Sequence, residues 1–265
     1  MAEKGGGNRL VAVLERFGAR VYRMMEDLGN VFVLFLQCVS WMFRPPYEIR
    51  NIVKQMEEVG VRSMPVVLVT ATFTGMVIAL QSWSGFQRFQ ATSLVGSVVA
   101  LSITRELGPV FAGLMVSGRV GAAMAAELGT MKVTEQIDAL VTLATNPVKY
   151  LVVPRVVAAT VVLPILVVFA DLVGILGGYF VAVNLLGANS YVYINKTYQY
   201  LEFKDIYTGL VKASVFGFLI ALISCYNGFI AEGGAEGVGR ATMRAVVASS
   251  MVVLISDYFM TSLMF

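Results

Sequence analysis

Histidine is missing from all 265 residues of the chain. Its absence excludes Ser-His-Asp triads, histidine general bases and histidine metal ligands together. Cysteine occurs only as Cys38 and Cys225, far apart and without metal-ligand spacing; both are expected to be small apolar packing residues. Neither a G-x-x-x-x-G-K-[ST] phosphate loop nor a G-x-S-x-G elbow occurs, and "EGGAEGVGRA" (232–241), though rich in glycine, follows no strand and reads as a flexible loop. The start of the chain has no early apolar core with a small-residue cleavage site, so no cleavable signal peptide is expected. These absences predict no catalytic residues, no metal site and no bound cofactor. The net charge of +3 gives no reason to expect a nucleic-acid partner. Charge is also scarce, 14% of residues against about 25% in soluble domains.

What fills the chain instead is apolar: 57% hydrophobic residues and a mean hydropathy of +0.75. Several stretches reach the ~20 residues that cross a bilayer. The expected fold is an all-α integral membrane protein with five spans, at about 64–80, 95–126, 152–186, 210–230 and 245–265. Pro164 inside the third predicts a kink. Two regions divide the chain, an interfacial one at 1–62 and a five-span membrane domain at 63–265. In the first, Leu10, Val13, Leu14, Phe17, Val21, Met24, Met25 and Leu28 recur at helical spacing among Arg9, Arg16, Arg20 and Arg23, the pattern of a helix lying on a membrane surface. Val31–Phe43 is apolar but short for a span, so it is expected to dip into the interface or pack on the bundle. Residues 1–62 hold nine of the twenty Lys and Arg, the loop after the second span three and that after the fourth two; the opposite side has Arg88, Lys196 and Lys204. Fourteen against three is a positive-inside signal that predicts a cytoplasmic N-terminus and an external C-terminus. Tyr191, Tyr193, Tyr198 and Tyr200 suit an interfacial belt. Asn195-Lys196-Thr197 matches a glycosylation sequon of low specificity.

Three features carry candidate function. Gly113, Ser117, Gly121, Ala125 and Gly129 recur every four residues, giving a helix face that another backbone can approach closely; either a homodimer seam or packing within one bundle fits. Ala126–Pro147 contains an amphipathic helix with Val133, Ile137, Leu140 and Val141 on one face, stopped by Asn146-Pro147; it can lie on the membrane or dock into a groove of a soluble partner. Finally, Arg105, Glu106, Arg119, Asp171 and Asp257 stand inside spans, where charge is costly and needs a cavity or a partner. Arg105 and Glu106 point about 100° apart on a helix, so each needs its own partner, with Asp257 and Asp171 as candidates. Gly108-Pro109 loosens the helix beside them, as in segments that line cavities.

The motifs "GMVIALQ" (75–81), "LSITRELGPV" (101–110), "SGRVGAAMAAELGTMKVTEQIDAL" (117–140), "NPVKYLVVPR" (146–155) and "GVGRATMRAVVASS" (237–250) together resemble the MlaE family, the permease subunits of Mla-type phospholipid ABC transporters. The resemblance covers nearly the whole chain. It implies a homodimer in a bacterial inner membrane, an elbow helix followed by five spans, two cytoplasmic ABC ATPase subunits that bind the ATP, and an external MCE-domain subunit forming a lipid conduit. By the same resemblance Glu135, Gln136, Ile137, Asp138, Ala139 and Leu140 form a coupling helix, and Ile78, Gln81, Phe86, Phe89, Arg105 and Glu106 line a phospholipid pocket. Arg105 there meets a phosphate head group, Glu106 orients it or holds a gate, and Arg105→Ala is expected to impair transport while leaving assembly intact. Two other readings stand beside this one. One is an ion- or proton-coupled carrier using Glu106, Asp171 and Asp257, against which the lack of an internal repeat counts. The other is an intramembrane enzyme built on Asp171 and Asp257.

Overall fold

The computed structural model of the chain describes residues 5–45 and 48–264, without the side chains of residues 5–17, 20, 23 and 24. Every regular element among the described residues is helical: α1 (Gly5–Met42), α2 (Ile49–Gly60), α3 (Met64–Gln87), α4 (Val95–Ser102), α5 (Gly108–Val116), α6 (Ala122–Val133), α7 (Gln136–Thr142), α8 (Val153–Phe180), α9 (Ser190–Tyr200), α10 (Phe203–Phe229) and α11 (Gly234–Met264). Among the described residues, five helical runs are long and apolar enough to cross a membrane: Ile49–Gln87, Thr92–Val133, Val148–Leu185, Phe203–Phe229 and Gly234–Met264. The protein is a multi-pass, all-α membrane protein. Its bundle has a basic end, carrying α2, the connection around α7 and the turn at 231–233, and an opposite end carrying α9.

Local chemistry sets the helix boundaries. Pro65 sits in the first turn of α3 and Pro154 in that of α8, where a missing amide hydrogen costs nothing. Asn189 caps α9 by accepting from the Val192 amide at 3.2 Å, and Glu202 and Asp205 form a reciprocal capping box on α10. Asn146 accepts from the Val148 and Lys149 amides at 2.9 and 3.2 Å. Asn146-Pro147 therefore opens the third span; it does not stop α7, which ends at Thr142 before Ala144 turns to φ +57°.

The second span is not one regular helix. Pi-helical turns interrupt it at Ile103–Leu107 and Ser117–Gly121, and two more flank α8 at Val148–Val152 and Val181–Leu185. Such turns are rare and gather at functional positions. By contrast, α8 stays helical through Pro164.

Close helix crossings depend on glycine. A Cβ on Gly75 would lie 1.9 Å from the Gly174 carbonyl oxygen of α8, so α3 and α8 touch backbone to backbone. The core around this crossing takes in Val67, Val110, Val116, Leu128, Leu163, Phe216 and Ile220. Leu34 and Cys38 join it from α1, so the Val31–Phe43 segment packs on the bundle as the last turns of one long helix. The basic face expected at Arg9, Arg16, Arg20 and Arg23 lies outside the described side chains. Burial pushes the Cys38 thiol up to about 11, which leaves it protonated and unreactive at neutral pH.

Two expectations about this frame are corrected. The glycine-rich 232–241 stretch is not a loop: α11 begins at Gly234, and Gly237 backs onto its own turn, where a Cβ would meet the Glu232 carbonyl at 1.7 Å. Tyr193 is buried against Tyr179, with ring centroids 5.5 Å apart, while Tyr191, Tyr198 and Tyr200 are exposed; a helical α9 turns one tyrosine in four inward.

Candidate functional site: a charged clasp beside an apolar groove

Pro109 has no amide hydrogen, so it cannot supply the helical donor to the Arg105 carbonyl. Lys212 of α10 supplies one, at 3.0 Å. Its ammonium also donates to Glu106 Oε2 and to Thr261 Oγ1 of α11, each at 2.7 Å. All three of its hydrogens are thereby used, and Asp257 Oδ1, at 3.1 Å, is held by charge alone. Lys212 is 0% exposed, Glu106 33% and Asp257 20%. On the other side of the same turn, Arg105 directs Nε and Nη2 to Asp205 Oδ1, both at 2.7 Å. Asp205 is buried and also accepts from the Glu202 amide at 3.0 Å. The π-helical turn, α10 and α11 are thus tied by two cations and three carboxylates.

Arg105 and Glu106 do find separate partners, as their angular separation requires. Asp257 belongs to this group and Asp171 does not. Asp171 lies on α8 with Oδ1 2.1 Å from where a Gly108 Cβ would stand, and that oxygen has no hydrogen-bond partner among the described residues. Arg119 reaches the basic end, donating to Ser63 Oγ at 2.8 Å and to the Glu58 carbonyl at 3.2 Å.

Next to the clasp, α3 and the second span enclose an open groove of about 440 Å³, lined by Thr70, Phe73, Thr74, Val77, Ile78, Leu107 and Phe111. Its surface is almost wholly apolar, and its size falls in the usual ligand range of about 300–1,000 Å³. Ile78 alone of the six expected pocket residues lines it. Phe86 packs instead into a second core with Ala79, Val95, Val99 and Tyr193. Phe89 is 80% exposed beyond the end of α3, and Gln81 is exposed one turn past Ile78. Arg105 and Glu106 border the groove through Leu107 but turn toward α10 and α11.

At the basic end, the left-handed Glu135 (φ +60°) breaks α6 from α7. Ile137 is buried and anchors α7, while Glu135, Gln136, Asp138 and Ala139 are exposed and Leu140 is half-buried. Val141 is also exposed, so the expected continuous apolar face from Val133 to Val141 is corrected: the break at 134–135 rotates α7 out of register with α6. Lys132 and Asp138 pair at 3.2 Å across the break.

A family model, Permease MlaE, matches residues 52–263. The chain belongs to the MlaE permease family. It is 51% identical over 256 residues to a probable ABC transporter permease protein of Rickettsia bellii, covering 97% of this chain and 99% of the relative. It is 45% identical over 265 residues to a probable ABC transporter permease protein of Synechocystis, covering 100% and 97%. It is 37% identical over 262 residues to the intermembrane phospholipid transport system permease protein MlaE of Haemophilus influenzae, covering 97% and 98%.

In this MlaE-family permease the row of small residues faces α10 and α11 of the same chain. Ser117 Oγ lies 2.6 Å from Ser249 Oγ; a Cβ on Gly113 would meet Val253 and Phe216, and one on Gly121 would meet Ser224. Ala125 is fully buried and Gly129 abuts Ala231 and Val238. Lys212 and Asp205, not among the charges picked out in the sequence, complete the clasp. The signal for Lys212 was available: a lysine between Val211 and Ala213 at the start of an apolar run.

Proposed function

We propose that this permease is the membrane-spanning subunit of an ABC transporter that moves phospholipid between a bacterial inner membrane and an external MCE-domain conduit leading toward the outer membrane. The observation that carries this reading is the open apolar groove of α3 and the second span, set beside a charged clasp in a chain of this family. Acyl chains suit the groove walls. The clasp lies within one turn of Leu107, so movement of α10 or α11 reaches the groove through the π-helical turn. The lipid site is proposed at this groove, completed by a second copy of the chain: Ile78 lines it, Arg105 and Glu106 border it through Leu107, and Gln81, Phe86 and Phe89, which lie off the groove in the single chain, are proposed to join it only in the two-copy assembly. The Haemophilus relative, named for intermembrane phospholipid transport, supports this substrate class.

The chain has no phosphate-binding loop of its own, and a separate cytoplasmic ATPase is proposed to supply the energy. Its contact is α7, which offers Glu135, Gln136, Asp138 and Ala139 outward around the Ile137 anchor and the half-buried Leu140. With this assignment the basic end and the N-terminus are proposed to lie in the cytoplasm and the C-terminus outside, a reading supported by the charge asymmetry. Asp138→Arg is expected to weaken ATPase binding at least about tenfold, near 1.4 kcal/mol, in pull-down titrations. It leaves the fold intact, since an exposed pair contributes about 1 kcal/mol or less. Gentle extraction from the native membrane followed by mass spectrometry tests the whole assignment. A stoichiometric ATPase and an MCE-type subunit with retained phospholipid are expected, and a chain that emerges alone and active contradicts it.

A further inference from the structure

A second groove lies on the far side of the bundle, between α1, α10 and α11. It measures about 720 Å³ and is walled by apolar residues that include Val31, Leu222, Val247 and Met251. At the basic end it runs into a polar cavity of about 200 Å³; the two share Asn227, Ile230 and Arg244. An apolar trough opening into a polar chamber is the shape of an amphiphile. The chamber's charges define the head group. Arg240 is paired with Glu236, and Asp27, near the junction, accepts from the Tyr226 hydroxyl at 3.0 Å. Arg244 and Glu232 are both exposed, and neither has a hydrogen-bond or ion-pair partner among the described residues. A cation and a carboxylate in the same chamber, each without a partner among the described residues, complement a zwitterion.

We propose that this groove holds a zwitterionic glycerophospholipid from the leaflet at the basic end, its acyl chains along α10 and α11, its phosphate on Arg244 and its ammonium toward Glu232. Phosphatidylethanolamine is the simplest lipid with that chemistry. The site is separate from the groove of α3 and requires only that the chain spans a bilayer, so it stands or falls independently of the transport reading.

The test uses the full chain reconstituted into vesicles of phosphatidylethanolamine and phosphatidylglycerol, with a photo-crosslinking amino acid at Met251 and, as a control at an exposed position of α8 outside the groove, at Leu176. The expected adduct at Met251 is phosphatidylethanolamine, enriched over its share at Leu176. Arg244→Glu is expected to reduce it about tenfold, Arg244→Lys to preserve it and Glu232→Gln to erase the preference over phosphatidylglycerol, all with the Leu176 adducts unchanged. A Met251 adduct dominated by a second copy of the chain or another protein overturns the proposal. So does a lipid adduct indifferent to Arg244→Glu, and an unaltered head-group preference in Glu232→Gln removes the ammonium contact.

Discussion

Lys212→Ala lowers the thermal unfolding midpoint of the detergent-solubilised permease by roughly 10 °C. Removing one partner of a buried ion pair costs about 3–5 kcal/mol, and each kcal/mol moves the midpoint of a chain this size by about 2–4 °C. The residual exposure of Glu106 and Asp257 lets water screen the stranded carboxylates and places the effect toward the lower half of that range. The Arg105 carbonyl, which Pro109 cannot satisfy, loses its donor as well. Exposure of the buried Cys38 and Cys225 to a thiol reagent provides the readout, because both react only once the bundle opens. A triple variant, Lys212→Met with Glu106→Gln and Asp257→Asn, is expected to recover most of the loss by removing the charges together. An unchanged midpoint in Lys212→Ala contradicts the clasp as a structural element.

The second large effect is expected from Gly75→Val. Even a Cβ at this position falls 1.9 Å from a backbone oxygen, and α8 cannot relieve that contact by turning a side chain. Overpacking in a core costs about 1–3 kcal/mol, occasionally more, and a backbone obstacle belongs at the upper end. The helices must separate, and Thr74, Val77 and Ile78, the neighbours of Gly75 along the groove, move with α3. Circular dichroism is expected to show full helicity, while phospholipid transfer by the reconstituted complex falls to background. Gly85→Val, at a position with open space around it, is the matched control and is expected to retain transfer. Equal transfer by the two variants contradicts the role of the α3–α8 contact.

Both predictions rest on features unequally legible in sequence. The five spans are readable because a bilayer demands about twenty apolar residues whatever surrounds them. The separate partners of Arg105 and Glu106 follow from helix geometry alone. Lys212 is different: the sequence shows only a lysine at the start of an apolar run, and its meaning comes from Glu106 and Asp257, brought to it by folding. Asp205 likewise reads as a helix cap, which it is, and its second bond to Arg105 is visible only in three dimensions. That bond changes what is expected of Arg105→Ala: the variant also strands a buried carboxylate, so its effect on lipid transport must be compared with that of Arg105→Ala/Asp205→Asn. The glycine-rich 232–241 stretch misleads because glycine there serves close approach at Gly237 rather than flexibility. Asn146-Pro147 misleads because a proline both ends one helix and begins another, and only the bonds of Asn146 to the following amides distinguish the two.

The central claim is that phospholipid passes along the groove of α3 and the second span under the action of a separate ATPase. It is tested most directly by ATP-dependent transfer of a labelled phospholipid by the purified complex, comparing wild type with Val77→Trp. Val77 lines the groove and is 56% exposed, so the indole fills the groove without displacing the core. The account predicts transfer that requires ATP in the wild type and falls at least about tenfold in Val77→Trp, with the ATPase still bound. Transfer that proceeds equally without ATP, or undiminished with the groove filled, would contradict it.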